Sequence, residues 1–415
     1  MSPLLGHVLA QMVSLGVGDR TEGRYIDANY GRFYEAATVV RAELNLNWKH
    51  TEVSLGYAPS FTVTPLDLPR RELLVYHIAG VAGTYRWQHT AVTASESVGV
   101  GQLNFITQGL GDARAQATAT NTPGATPAAG TPTAQSPANG NPGAGTSATS
   151  NQANQIRALN QVVTYVNSVS ALSVAQNLTP VLSLAASVGY QVSGGIGSSE
   201  SATYPIVQGP LAQVATDYLF TRQDVANSLL SVRYASVRDS NNSWIFSALE
   251  SWKHSFSVRT TSRVGAGLSM TRTAQPDGLI AWSIYPTFTS AFNHVVSIDR
   301  SLLALSLTAS SSPALDPVRA TVDPRLSLGA GARWSLEDFY SALVASTELS
   351  LADASHKGSL SSAAGSFGVG YRLGKAMSVD SGVRAFWQNY EGAAVVPLTL
   401  AAFVGVTVSA ATTPR

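Results

Sequence analysis

No cysteine occurs anywhere in the 415 residues. Its absence removes disulfides, thiolate nucleophiles and cysteine-based metal sites together. Charge is scarce as well. Asp, Glu, Lys and Arg make up 12% of the chain, roughly half the share of an ordinary soluble protein. Beyond the N-terminus no apolar run reaches the about 18 residues that a membrane helix needs, so helical spans are excluded on length. A formal net charge of +1 gives no sign of nucleic acid or of a strongly acidic partner. Phosphate-binding loops, EF-hands and His-x-x-x-His helices are missing too.

What the chain has instead is alternation. From Thr38 to Phe61 the text reads by twos. Val40, Ala42, Leu44, Leu46 and Trp48 fall on one side, and Arg41, Glu43, Asn45 and Asn47 on the other. After Lys49-His50-Thr51 the pattern resumes with Val53, Leu55, Tyr57 and Phe61 opposite Glu52, Ser54, Gly56, Ala58 and Ser60. Side chains of a strand alternate between faces, so this is a hairpin with one greasy wall and one wet wall. Each arm reaches about ten residues, the length a tilted strand needs to cross a bilayer. The expected fold is all-β: a transmembrane antiparallel up-and-down barrel.

The same unit recurs along the chain. Met1–Ala10 reads as the remnant of a signal peptide, short of its positive region. Val13 to Gly18 begins a first strand, and the polar stretch Arg20 to Ala36 is expected to be the first outer loop. Leu73–Trp87 and Ala91–Gly101 flank Gln88-His89-Thr90. Between Arg114 and Arg157 no charged residue occurs and the text is Ala, Thr, Gly, Pro, Ser, Asn and Gln. Such a segment cannot offset its ordering entropy by burial. Residues 111–157 are therefore expected to be a disordered insertion in one outer loop of a single barrel domain spanning 11–415. Beyond it lie Val162–Ala175, whose periodicity also allows partial helix, and a clear strand, Val181–Ser193. Further hairpins turn at Arg222-Gln223-Asp224, Lys253-His254-Ser255, Asn293-His294, Ser335–Asp338 and Gly374-Lys375. Pro397–Ser409 closes the series. Short turns alternate with longer loops, as short periplasmic turns and outer loops do in such barrels, and the count is about 18 strands, or 16 if one hairpin is lost.

The seven tryptophans give an independent check. Trp48, Trp87, Trp252 and Trp334 fall beside short turns, and Trp244, Trp282 and Trp387 near the opposite strand ends. Lipid interfaces draw aromatic residues into two girdles. Three turns share the spelling Trp-Lys-His-Thr, Trp-Gln-His-Thr and Trp-Lys-His-Ser, at Trp48, Trp87 and Trp252. They are either interface anchors with polar turns or a ring of imidazoles, His50, His89 and His254, at the periplasmic mouth.

No catalytic constellation emerges, and no cofactor or metal is expected. His50, His89, His254 and His294 map to inner turns, which leaves only His77 and His356 on the outer side, far apart in sequence. By parity the wet faces carry Arg41, Arg86, Arg233, Arg259, Arg263, Arg325, Arg333, Arg372 and Arg384. Against them stand Glu43, Glu52, Asp217, Glu348 and Asp380. A one-residue register error would flip a strand. The excess of arginine predicts a weakly cationic pore lining, suited to anionic cargo, although Arg–acid ladders that brace neighbouring strands read the same way. Gly265, Gly267, Gly329, Gly331, Gly368, Gly370, Ser54 and Ser269 keep that wall shallow, and 16 to 18 strands leave room for water.

The alternating strands, tryptophan girdles and short inner turns resemble bacterial outer-membrane β-barrels over nearly the whole chain. Within that class, an approximately 18-stranded barrel with no extra periplasmic domain resembles exopolysaccharide-export porins. The resemblance implies outer-membrane lipid and lipopolysaccharide as surroundings and a periplasmic polysaccharide-export protein as partner. The ending Ser409 to Arg415 departs from the aromatic terminus common in such barrels. Three readings stay open: a conduit for secreted polysaccharide, a diffusion porin for small anions, and a non-conducting structural or display barrel.

Overall fold

A computed structural model describes residues 13–28, 31–64, 72–104, 162–237, 240–316, 320–336, 339–350, 360–374, 376–390 and 396–411. The signal-remnant reading of 1–10 and the insertion reading of 111–157 lie outside the described residues. Eighteen strands form one sheet. They are β1 (Val13–Ala28), β2 (Gly31–Asn47), β3 (Thr51–Thr64), β4 (Glu72–Trp87), β5 (Thr90–Asn104) and β6 (Val162–Asn177). Then come β7 (Leu182–Gly195), β8 (Val207–Leu219), β9 (Asp224–Val237), β10 (Asn242–Ser257), β11 (Thr260–Ala274) and β12 (Ile280–Ile298). The last are β13 (Ser301–Asp316), β14 (Thr321–Leu336), β15 (Phe339–Ser350), β16 (Leu360–Arg372), β17 (Met377–Tyr390) and β18 (Val396–Ala411). One short helix, α1 (Ser198–Thr203), sits between β7 and β8.

Each strand pairs antiparallel with its sequence neighbours, and β18 pairs with β1 from Gly16↔Ala411 to Asp27↔Leu400. That last ladder closes the sheet into a barrel and removes its edges. β5 pairs with β6 along its whole length, so the text between them interrupts a hairpin rather than joining two sheets. No helix among the described residues is long and apolar enough to cross a membrane. Strands do the crossing here, because ladders between neighbouring strands satisfy the backbone within the wall.

The outside is apolar by parity. Val13, Leu15 and Val17 of β1, Leu55, Tyr57 and Phe61 of β3, and Leu398, Leu400, Val404 and Val408 of β18 are all exposed on it. All seven tryptophans share this outward parity: Trp48, Trp87, Trp244, Trp252, Trp282, Trp334 and Trp387. Carboxylates break the apolar belt at several points, one of them Asp19 between Val40 and Val408. Glu96 pairs across from Val81 and Ser170, and Glu250 accepts a 2.6 Å hydrogen bond from the Ser228 hydroxyl.

Four expectations need correction. Arg20 to Ala36 is not a loop: β1 runs to Ala28, and β2 begins at Gly31 and pairs with it throughout. Lys253-His254-Ser255 is not a turn either. β10 continues to Ser257 through a register shift at Ser255/Ser257, and the turn falls at Val258-Arg259. Asn293-His294 lies inside β12, which turns only after Ile298. The physical reason is common to all three. A ladder needs backbone partners, not apolar side chains, so a strand continues beyond the bilayer wherever its neighbour does. Val162–Ala175, where partial helix was admitted, is strand throughout, within β6. Trp252 consequently sits six residues before its own turn, level instead with the neighbouring hairpin, where its indole donates to Asp224 at 3.1 Å.

Turns step around the rim in a regular stagger. The backbone N–H of Arg86, Asn177, Leu219, Ser255, Val295 and Ser409 each donates to a carbonyl of an adjacent hairpin's turn. Strand tilt and stagger of this kind accompany barrel closure.

Candidate functional site

The site with chemistry is the interior wall. Its most organised sector spans β1, β2, β17 and β18. Inward parity on β1 places Arg20, Glu22, Arg24 and Ile26 in a row, with Glu35 beside them on β2 and Asp380, Arg384 and Phe386 on β17. Glu22 is the hub. Arg384 grips it with both terminal nitrogens at 2.5 and 2.9 Å. Arg20 reaches it at 2.7 Å and Arg24 at 2.6 Å. Arg24 also donates to Glu35 at 2.7 Å, and Arg20 to Asp380 at 3.3 Å. The Arg384 guanidinium lies 3.9 Å above the Phe403 ring, so its upper face gains a cation–π contact. Three arginines and three carboxylates make this sector neutral, and Glu22, Glu35, Asp380 and Arg384 are all buried. A Cβ on Gly405 would stand 3.1 Å from Asp380, so the bare glycine admits that carboxylate. Buried charges are tolerated only when paired and hydrogen-bonded in this way.

Of this cluster, sequence reasoning named only Asp380 and Arg384. Arg20, Glu22, Arg24 and Glu35 were missed because charge was taken to mean loop. Their period-two spacing, continuous with Gly16 and Gly18, was the available signal.

The other residues expected on the wet face are spread around the wall. Arg41 and Glu43 have inward parity on β2 and are water-exposed. Arg86 pairs with Glu52 at 3.2 Å near the inner end. Asp217 accepts from Asn227 at 2.8 Å, and Arg233 reaches Gln191 at 3.4 Å. Arg263, Arg325 and Arg333 hold inward positions on β11 and β14, with Arg325 buried, and Arg372 is exposed at the inner end of β16. Arg259 stands in the β10–β11 turn, its backbone N–H donating to the Ser257 hydroxyl at 3.1 Å, and so is not a wall residue. The side chain of Glu348 lies outside the described residues.

Among the described residues His50, His89 and His254 form no metal-holding group. His254 is on the outward face of β10, 2.7 Å from Asp224 and between Trp252 and Phe256. His50 faces Tyr85, and His89 stands in the β4–β5 turn, where its carbonyl accepts from the Asn177 N–H at 2.8 Å. His294 meets the Thr260 hydroxyl at 2.8 Å within β12. On the outward face His77 contacts the Tyr57 hydroxyl, whereas His356 lies outside the described residues.

The outer mouth is lined differently. Ile26, Tyr76, Val163, Tyr165, Tyr204, Phe386 and Ala401 form one buried apolar cluster, to which Tyr204 belongs through the α1 segment. Tyr76 lies flat over Gly99, where a Cβ would be 2.3 Å from its hydroxyl oxygen. A second cluster joins Val207, Ala235, Val237 and Ile245 to Leu315, Ala320 and Val322. Polar at mid-height and apolar at the outer end, the interior therefore has two chemical zones.

No curated relative matches the chain. Among solved structures it is similar to OpdO of Pseudomonas aeruginosa, at TM-score 0.46 and 11% identity, over 98% of this chain and 99% of that one. OccAB4 of Acinetobacter baumannii gives TM-score 0.46 and 8% identity over 97% and 99%. The outer membrane protein opdK of Pseudomonas aeruginosa gives 0.43 and 11% over 96% and 99%. A family model, the EpsX exopolysaccharide export family, matches residues 35–413, and the chain belongs to that family.

Proposed function

We propose that this barrel is an integral outer-membrane channel that carries exopolysaccharide to the cell surface through its interior. The observation that carries the reading is a closed wall, apolar outside and polar within, on a chain of an exopolysaccharide export family. Arg41, Glu43 and the Arg86–Glu52 pair face water from the wall, and the hydroxyls and amides between them offer a polymer exchangeable hydrogen bonds. Small interior residues leave the cross-section free for a hydrated chain. The remaining inward arginines bias the path toward acidic sugars. A periplasmic polysaccharide-export protein would deliver the polymer to the rim of short turns. The tryptophan girdles would hold the barrel at the two lipid interfaces.

Deleting the gene tests the reading. Secreted polysaccharide is expected to fall while uptake of small solutes is unchanged. Unchanged secretion would sink it, and loss of small-anion uptake instead would favour a diffusion porin.

A further inference from the structure

Among the described residues the wall parts between β12 and β13. β12 and β13 pair from Ile298↔Ser301 up to Phe288↔Ser311 and no further. Above that point Ile280 to Thr287 remain bonded to β11 alone. Ser312 to Asp316 are laddered to β14 and continue beyond the last β12–β13 pair. The β12-facing flank of this end of the β13–β14 hairpin is thus out of the ladder.

Proline marks the split. Pro313 stands opposite Pro324, and continuing the β12–β13 register would set Pro286 opposite Pro313. A proline supplies no N–H to a ladder, so three of them at one level weaken the seam from both sides.

The tip folds inward instead. Leu315, Ala320 and Val322 are buried against Val207, Ala235, Val237 and Ile245, which have inward parity on β8, β9 and β10. Asn241 donates its side-chain N–H to the Ala320 carbonyl at 3.0 Å, and the inward Tyr285 hydroxyl donates to the Val322 carbonyl at 3.0 Å. The tip therefore crosses the inner side of β11 and β12. Yet Leu315 and Val322 carry the parity of the lipid face, that of Leu305 and Leu307 on β13 and of Leu328 and Trp334 on β14. Their pattern suits a second position in the wall.

We propose that the β13–β14 tip is a hinged lid over the outer mouth that opens by zipping onto the free edge of β12. In the open position Ser312 to Asp316 extend the register to Thr287 through Ser283, and Leu315 stands beside Ile284 facing lipid. The open ladder gains backbone hydrogen bonds on β12, and the closed lid gains the apolar cluster and two side-chain bonds. Two arrangements with comparable partners make a two-state element. As a gate on cargo the lid rests on the export reading; as a hinge it does not.

The cysteine-free chain allows the test in the full-length protein. Opposed strand residues lie within disulfide reach, and the Asn241 side chain already reaches the Ala320 backbone at 3.0 Å. Asn241→Cys with Ala320→Cys should bond in the closed state, and Ile284→Cys with Leu315→Cys should bond only when the lid reaches the wall. Both bonds are expected under mild oxidant in barrels that keep heat-modifiable migration. Planar-bilayer conductance should then drop by about tenfold in the first variant and recover with dithiothreitol. A closed-state bond without any Ile284–Leu315 bond would overturn the proposal, and so would a closed-state bond that leaves an open conductance untouched. A barrel silent in every form but bonded at both pairs keeps the hinge and rejects the channel. Should Ile284→Cys disturb assembly, Tyr285→Phe with Val322→Ser tests the lid by loosening it. Conductance above wild type is expected, and no change would count against the lid.

Discussion

Arg384 shows how much one interior residue can hold. Its guanidinium matches both oxygens of Glu22 and rests on Phe403. Removing one partner of a buried pair costs about 3–5 kcal/mol when the other is left uncompensated. Glu22 keeps Arg20 and Arg24, so Arg384→Ala is expected to destabilise the barrel by less than that in urea titrations of vesicle-inserted protein. Arg384→Lys should cost less, since it keeps the charge but loses the planar fork. The outer face obeys the opposite rule. Glu96 faces lipid between Val81 and Ser170, and a carboxylate there costs less than the ~2–4 kcal/mol of a lipid-facing cation at the midplane. Glu96→Val is expected to stabilise by about 1 kcal/mol in the same titration. These two faces were only half legible. Period two predicted which residues turn inward on β2, β3, β11 and β18. It did not predict that Arg20, Glu22, Arg24 and Glu35 belong to the wall, because polarity in a sequence marks water and loop alike. A water-filled interior makes the two indistinguishable until strand pairing is known.

At the scale of the element, strand existence was readable and strand ends were not. Tryptophan marks the lipid boundary, and the ladder continues past it. β10 runs five residues beyond Trp252, and β12 six beyond Phe292. Turns inferred from Lys253-His254-Ser255 and Asn293-His294 therefore fell too early. The β12–β13 split could not be read either, although Pro286, Pro313 and Pro324 were in plain view. A lone proline bends or edges a strand, and only opposition across the seam turns three into a hinge. Replacing Pro286 and Pro313 with Thr restores two N–H donors. Ile284–Leu315 cross-linking in that background is expected to rise, as gel mobility will show. Unchanged yield would mean that proline is not what parts the strands.

For the molecule as a whole, closure and cargo belong together. The barrel class followed from alternation, scarce charge and tryptophan placement, none of which depends on register. Cargo preference depends on which arginines meet water, and that emerges only from three-dimensional pairing. The β1–β17 sector is neutral, so selectivity is expected to rest on water-exposed residues such as Arg41, with Arg86 beside Glu52 at the inner end. Arg41→Glu with Arg86→Glu is expected to shift the reversal potential in a salt gradient toward cation preference, with single-channel conductance changed little. No shift would place the selective ring elsewhere on the wall.

The Glu22 cluster bridges β1 and β17 across β18, joining residues 362 positions apart in sequence. Contacts of such separation carry the largest loop-closure cost and are made late. The cluster is thus a clasp fastened after the sheet has curled, absent from the rate-limiting state of assembly. Weakening it should leave the rate of folding nearly unchanged and hasten unfolding instead. A barrel lacking Arg384 would insert at the normal pace and then open, strand from strand, along the β18–β1 seam.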